Sequence, residues 1–258
     1  MAVDSERYAY ATLVTTDEYA IGAEVLLQSL KEFSSNAAIH RVVLITPNVS
    51  TSARARLQRV GCEVLEVMPL SMASCPSASD HVSGWAEVGY TKLRIWGLVQ
   101  YTKIFYIDAD CLVVGAVEDV FKRDVDFAAA PDVFPPDKFN AGVLLVKPNE
   151  AIFQDMMRKI PELPSYDGGD TGFLNAYFPN WFTYAAEARL PFGYNAQRTM
   201  YWMTHEKAPA YWNEAVKPLK IIHFCSSPKP WEGKKKGDLE MLWWAKFVTA
   251  QSSDLDLF

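Results

Sequence analysis

With 258 residues, half of them apolar, the chain is long enough for one large α/β domain or two small ones around a substantial core. A net charge of -6 leaves no electrostatic footprint for nucleic acid, and the basic run Lys234 to Lys236 is too short to change that. The N-terminal MAVDSERYAYATLV lacks a secretion-signal profile, and no apolar stretch approaches the roughly 20 residues of a membrane span. A cytoplasmic protein without membrane contact is therefore expected. Cys62, Cys75, Cys111 and Cys225 show no CxxC spacing and fit reduced, structural thiols.

In chain order, Tyr8 to Thr15 reads as a strand and Glu18 to Phe33 as a helix with Ile21, Val25, Leu26, Leu30 and Phe33 on one face. His40 to Ile45 is a second strand, Ser50 to Val60 a short helix capped by Ser50 and closed by Gly61, and Glu63 to Val67 a third strand. Pro69 to Gly84 is a polar, small-residue loop. A helix from about Tyr90 to Gln100 leads into the apolar run KIFYIDADCLVV, Lys103 to Val114. Strands alternating with helices argue for a parallel, doubly wound sheet with right-handed crossovers. Phe127 to Ala130 and Gly142 to Val146 read as strands flanking the loop Pro131 to Asn140, and Asn149 to Lys159 as a helix. Tyr166 to Gly172 is a glycine-rich turn opening another helix. After the aromatic segment Trp181 to Trp212 come a buried strand, Lys220 to Phe224, and a closing helix, Leu239 to Ala250. No linker or internal repeat divides the chain, so one domain over residues 1–258 is expected.

Two carboxylates, Asp108 and Asp110, emerge at the C-terminal end of the Lys103 to Ile107 strand. In extended backbone they share a face and repel unless a cation lies between them. Hard oxygen ligands suit magnesium or manganese, which complete their shells with water and substrate phosphates. The alternative is a pair of solvated turn aspartates. Ligands of doubly wound sheets sit beyond C-terminal strand ends, where Leu13-Val14-Thr15-Thr16 could meet the aspartates over one nucleotide. No GxGxxG or GxxxxGK[ST] follows the first strand, which argues against dinucleotide and P-loop enzymes. His223 ends an apolar strand six residues before Lys229, in a turn stiffened by Pro228 and Pro230. It is either a structural histidine or the third member of a manganese set, with Lys229 complementing a diphosphate. Asp167 or Asp170 could cap the helix they precede. Tyr184, Phe192, Tyr194, Tyr201, Trp202 and Tyr211 suit sugar faces, although an aromatic cluster is more often core. His40, His81 and His205 carry no assigned chemistry.

The blocks LVTTDEYAIGAEVLLQSL (13–30), YTKLRIWGL (90–98), FYIDAD (105–110), FNAGVLLVKP (139–148), YDGGDTGFLN (166–175), LPFGYN (190–195) and HFCSSPKPW (223–231) carry a resemblance over nearly the whole chain. It is to the glycogenin-like branch of glycosyltransferase family eight, retaining enzymes with a GT-A fold: a single Rossmann-like α/β domain with a central, mostly parallel sheet flanked by helices. The resemblance implies that Asp108, Asp110 and His223 hold manganese, or magnesium, against the diphosphate of a UDP-sugar, UDP-glucose foremost. Leu13, Thr15, Thr16, Tyr19 and Val88 would line the uridine site, with Ala109 between the metal aspartates. Lys92 would reach the donor sugar or phosphate, and Ser226 and Lys229 the pyrophosphate. Asn140, Ala141, Gly142, Asp167 and Asp170 would contact the sugar. The implied catalytic set is Asp170, Asp167 and Lys92. A carboxylate there would stabilise oxocarbenium character, while metal and lysine stabilise the departing UDP. Front-face attack and a covalent intermediate both remain open.

The chain departs from the family pattern in places. The motif HxxGxxKP has glycine where Ser226 stands, and an arginine ahead of YTKL has no counterpart near Ser83. In AQRTMYWMTHEK, Tyr201 reaches the position of the self-glucosylated tyrosine only with a one-residue gap, and Trp202 lies there otherwise. The chain stops soon after Trp244, without the long tail of glycogenins. The compact form resembles cytoplasmic protist enzymes that add α-glucose to a protein-linked glycan on an adaptor subunit of a ubiquitin ligase. The alternatives are a self-glucosylating glycogen primer, galactinol-synthase-like transfer of galactose to inositol, and a non-catalytic nucleotide-sugar-binding scaffold. Family analogy implies a homodimer.

Overall fold

The computed structural model describes residues 6–70, 89–133, 135, 137–233 and 237–252. The expected loop residues 71–84, with Cys75, His81 and Ser83, lie outside these, as do Val88 and Lys234 to Lys236.

Strand β1 (Tyr8–Val14) runs parallel between β2 (His40–Ile45) and β4 (Lys103–Ile107), and β3 (Glu63–Glu66) continues the sheet beyond β2. On the other side β7 (Phe139–Val146) pairs antiparallel with both β4 and β6 (Phe127–Pro131), giving the order β3-β2-β1-β4-β7-β6. The sheet is mostly parallel, not wholly so. The short stretch 132–138 between β6 and β7 can close a hairpin but cannot carry the long crossover that a parallel pair needs. Both faces of the central strands are buried. Ala9 and Ala11 face one apolar cluster with Leu93, Trp96 and Phe173, whereas Tyr10 and Val14 face clusters built with Leu26, Leu30 and Ala23.

Helix α1 (Asp17–Phe33) starts directly after β1. Thr16 caps it by accepting from the Tyr19 amide, and Asp17 and Glu18 complement its first turn. Helix α2 (Thr51–Arg59) is capped by Ser50 as its sequence implies. The predicted helix at 90–100 is instead a run of 3-10 turns, Tyr90–Gly97. Tyr90, Leu93 and Trp96, three residues apart and all buried, eclipse on the core face, which is the periodicity of a 3-10 helix. Helices α3 (Glu150–Lys159), capped by Asn149, and α4 (Asp170–Tyr177) follow β7.

The run KIFYIDADCLVV holds the expected strand, Lys103–Ile107, and a second, separate one beyond the aspartates. β4 ends at Ile107, the Cys111 amide closes a turn onto the Asp108 carbonyl at 3.0 Å, and Cys111–Val113 forms β5. β5 belongs to a second sheet, antiparallel to β9 (Ile221–His223), which is parallel to β8 (Ala196–Gln197). Helices α5 (Arg198–Thr204), α6 (Pro209–Ala215) and α7 (Asp238–Ser252) pack on this sheet through Met200, Tyr201, Trp212, Leu239 and Trp243 against Leu112, Ile222 and Phe224. In the aromatic segment Trp181, Tyr194 and Trp212 are core residues, whereas Tyr184 and Tyr211 are exposed. Cys62, Cys111 and Cys225 are free thiols. Among the described residues no helix is long and apolar enough to cross a membrane.

Candidate active site

The turn between β4 and β5 sets out the two aspartates. The Asp108 amide donates to the Gly142 carbonyl at 2.8 Å, extending the β4–β7 ladder by one bond, and the Phe224 amide donates to the Asp110 carbonyl at 2.9 Å. Asp108 is thereby tied to the large sheet and Asp110 to the small one. Between them stands His223, directly opposite Cys111 in the β5–β9 register. Its Nε2 lies 3.3 Å from Asp110 Oδ1 and 4.0 Å from Asp108 Oδ2. Its Nδ1 is 2.8 Å from Asn195 Oδ1, and Asn195 Nδ2 in turn donates to Asn140 Oδ1 at 3.0 Å. That chain turns the Asn195 carbonyl toward the ring, where it can accept from Nδ1–H, and so orients Nε2 toward the two carboxylates. Gly142 makes room for the ring: a Cβ there would stand 2.3 Å from His223 Cε1 and 2.7 Å from Nδ1.

Two lysines flank the aspartates. Lys229 Nζ reaches Asp110 Oδ2 at 2.5 Å and the Phe224 carbonyl at 2.9 Å. Burial by itself would raise the Asp110 carboxyl, but Lys229 and His223 outweigh it and hold the group well below the usual carboxylate range. Lys92 Nζ donates to the Ala141 carbonyl at 2.8 Å, lies 3.1 Å from Asp108 Oδ1, and faces the Tyr106 ring 5.0 Å from its centroid. It also stands 2.5 Å from Asp170 Oδ2. Oδ2 of the fully buried Asp170 is thus ion-paired with Lys92, while Oδ1 has no hydrogen-bond partner. The two partners fare differently. Burial lowers Lys92, yet the charges of Asp108 and Asp170 more than restore it. Asp170 shares that lysine with Asp108, and burial, with Asp108 adding to it, raises its carboxyl to about 6.

The structure separates the two candidates on the glycine-rich turn. Asp167 Oδ1 accepts from the Gly169 and Gly172 amides, each at 2.9 Å, and from Ser165 Oγ at 2.8 Å, which makes it the acceptor at the start of α4. Asp170 opens the helix but caps nothing. It is a buried carboxylate aimed at Lys92 with hydrogen-bonding capacity to spare.

Residues 11–235 match the family model for "Glycosyl transferase family 8". The chain belongs to that family. It is 38% identical over 225 residues to glycogenin-1 of Mus musculus, covering 86% of this chain and 65% of that protein. With inositol phosphorylceramide glucuronosyltransferase 1 of Arabidopsis thaliana it shares 32% identity over 263 residues, 95% of this chain and 44% of that one. The chain thus spans two thirds or less of the length of either relative. A solved structure of LgtC superposes with a TM-score of 0.69 at 20% identity, covering 95% of each chain. That likeness establishes the fold, which is GT-A.

Within this family-8 fold the remaining expected residues fall near the strand ends. Thr16 and Tyr19 begin α1, and Tyr19 feels the charges of Lys229, Asp110 and Asp108 while packing edge-on against Trp231 at 5.3 Å. Ala109 backs onto α1, where a Cβ on Gly22 would meet its carbonyl oxygen at 2.5 Å. Asn140 does not point freely into the site, since its Oδ1 accepts from Gly142 and Asn195. Ser226 is likewise engaged, its Oγ accepting from Arg198 Nη2 at 3.0 Å. Ligand atoms of Asp110, Cys111 and His223 lie within 4.8 Å of one another. Burial and the neighbouring aspartates push the Cys111 thiol up, so it stays protonated in the core. Sequence reasoning missed Tyr106, whose hydroxyl donates to Asp108 Oδ1 at 2.7 Å, and Asn195. Strand alternation places 106 with 108 and could have found the first. Asn195 ends the block LPFGYN but carries no chemical signal of its own.

Proposed function

We propose that this chain is a retaining α-glycosyltransferase that moves glucose from UDP-glucose to a hydroxyl of a protein-linked glycan, with manganese held by Asp108, Asp110 and His223. The observation that carries the proposal is the convergence of two carboxylates and an imidazole Nε2, from two separate sheets, with a buried lysine on each side. One nitrogen and two carboxylate oxygens fit a hard divalent ion, and the unpartnered Oδ1 of Asp170 fits a polar substrate beside it. When bound, such an ion supplies Lewis-acid stabilisation of the leaving diphosphate.

The chain's own residues account for the rest. Lys229, kept charged by Asp110, neutralises phosphate where negative charge grows. Lys92 fixes Asp108 and Asp170 together. Asp170, desolvated and short of donors, stabilises positive charge at the anomeric carbon and orients sugar hydroxyls. Asp167 serves by setting the turn that presents Asp170, so we assign it positioning. Leu13, Thr15, Thr16 and Tyr19 receive the uridine at the end of β1. Burial of the Lys92–Asp170 pair keeps water from the reacting bond.

Tyr201 is stacked on His205 with ring centroids 4.2 Å apart, and its hydroxyl donates to Asp238 at 3.4 Å. These contacts favour an acceptor outside the chain over self-glucosylation at that tyrosine. From the family resemblance we keep a glycan on a ubiquitin-ligase adaptor as the acceptor, with a homodimeric, single-domain enzyme in the cytoplasm. A UDP-sugar hydrolysis panel with and without manganese tests donor and metal together. Strong turnover of UDP-glucose that needs manganese and vanishes in Asp110→Ala is expected. Full activity in Asp110→Ala would overturn the site, and preferential turnover of UDP-galactose with transfer to inositol would replace the acceptor reading.

A further inference from the structure

Arg198 is fully buried where α5 begins. Its guanidinium lies 4.2 Å from the Trp202 ring centroid and 5.3 Å from that of Phe224. Nη1 donates to Glu240 Oε1 on α7 at 2.8 Å. Nη2 donates to the Ser226 carbonyl at 2.5 Å, to Ser226 Oγ at 3.0 Å and to the Pro228 carbonyl at 2.9 Å. The next residue after Pro228 is Lys229, whose Nζ closes back onto the Phe224 carbonyl and Asp110. Residues 224–229 thus form a loop joined at its ends by Lys229 and pinned at its middle by Arg198.

Stability alone is a poor reason for this arrangement. A buried ion pair costs desolvation that two apolar side chains would avoid, and this one is incompletely satisfied: Arg198 Nε and Glu240 Oε2 have no hydrogen-bond partner. What the planar fork provides is geometry. It holds two carbonyls and a hydroxyl of one turn while anchored to another helix, which a lysine's single ammonium cannot do. We propose that Arg198, braced by Glu240, is a positioning residue that aims Lys229 at the donor diphosphate and makes the donor loop answer to the seating of α7. The inference rests on the reading of Lys229 given above.

The test compares binding of UDP and of uridine to the full chain by calorimetry at fixed manganese, in wild type, Arg198→Lys and the double variant Arg198→Met/Glu240→Leu. Thermal unfolding is recorded alongside. The double variant replaces the ion pair with apolar side chains, so it keeps the core filled and carries the test should Arg198→Lys not fold. UDP affinity is expected to fall by about tenfold or more in both variants while uridine affinity stays within about twofold. A folded variant with the wild-type ratio of UDP to uridine affinity overturns the inference. So does an equal loss for both ligands, which marks general loosening of the pocket. Wild-type protein that binds UDP no better than uridine overturns the diphosphate reading of Lys229 itself, and this inference with it.

Discussion

Replacing Gly142 by alanine tests the site through one methyl group. The added Cβ would stand 2.3 Å from His223 Cε1, against roughly 3.5 Å for carbon atoms in ordinary contact, so the ring must retreat by about 1 Å. It has little freedom to do so. His223 and Asn195 are both buried, and the Asn195 and Asn140 amides that hold the ring are bonded to one another. Overpacking of this kind costs about 1–3 kcal/mol, which for a chain of this size lowers the melting temperature by roughly 2–10 °C. The effect on chemistry should be larger. A displacement of about 1 Å in a positioned group costs on the order of 100-fold in rate, and loss of an oriented histidine weakens metal affinity about 10- to 100-fold. Manganese titrations of UDP-glucose hydrolysis, paired with thermal unfolding, read both quantities. Gly233→Ala is the control, since that glycine has a φ of +79° but nothing within 4 Å of its would-be Cβ. The control should cost about 1 kcal/mol of backbone strain and leave the manganese dependence alone. Gly142→Ala with the wild-type melting temperature and manganese half-saturation would refute the placement of His223.

Asp170→Asn should reduce transfer by about 100-fold or more and flatten the pH dependence of stability. The native carboxyl, raised by burial from 3.8 to about 6, holds its proton more tightly than the unfolded chain does. The stability that Asp170 contributes to the metal-free wild type is therefore full below about pH 4 and is lost as the pH rises through about 6. Denaturant titrations across that range check the slope, and an unchanged slope in Asp170→Asn would remove Asp170 as its source. Asp167→Ala takes the acceptor from two amides at the start of α4 and should cost about 1–2 kcal/mol, while reducing transfer less than Asp170→Asn does. The reverse ranking of the two variants in an initial-rate assay would restore Asp167 as the reacting carboxylate. Tyr106→Phe removes a single neutral donor to Asp108 and should weaken manganese binding only about three- to tenfold, as read by the same titration.

Much of the fold was legible because the first half of the chain is locally consistent. The Thr16 and Ser50 caps, the helical face of α1 and the apolar strands all announce themselves within a few residues. The failures are those where distant pairing decides. Nothing in FNAGVLLV states that β7 runs backwards: the shortness of the 132–138 connection makes β6 and β7 oppose one another, and the pairing of β7 with β4 decides which of them is reversed. The helix expected at 90–100 rests on apolar residues that recur at three- and four-residue spacings alike, and only the backbone bonding shows that the turns are 3-10, as where the Leu98 amide donates to the Ile95 carbonyl. The site was legible as residue types and family blocks, not as a division of labour. That Asp167 caps while Asp170 stays unsatisfied depends on which side chain meets the α4 amides. Arg198 gave no signal, because its partners lie on segments far along the chain.

The placement of His223 shows why the site is robust once folded. β5 and β9 are each only three residues long, yet Cys111 faces His223 in their ladder, next to Asp110. A slip of one residue in that pairing would turn His223 to the opposite side of the small sheet and bring Ile222 to the aspartates. Short strands do not resist slippage by themselves. Here the register is over-determined from outside. The Phe224 amide binds the Asp110 carbonyl, the Val114 amide binds the Lys220 carbonyl, and Ile222 and Phe224 are buried against Trp243 and Trp212. Burial of Ile222 on the helical side therefore fixes His223 on the other. The histidine is aimed by the core beneath it, and a substitution in that core that relaxed the β5–β9 pairing would be felt at Asp108 and Asp110 without touching either.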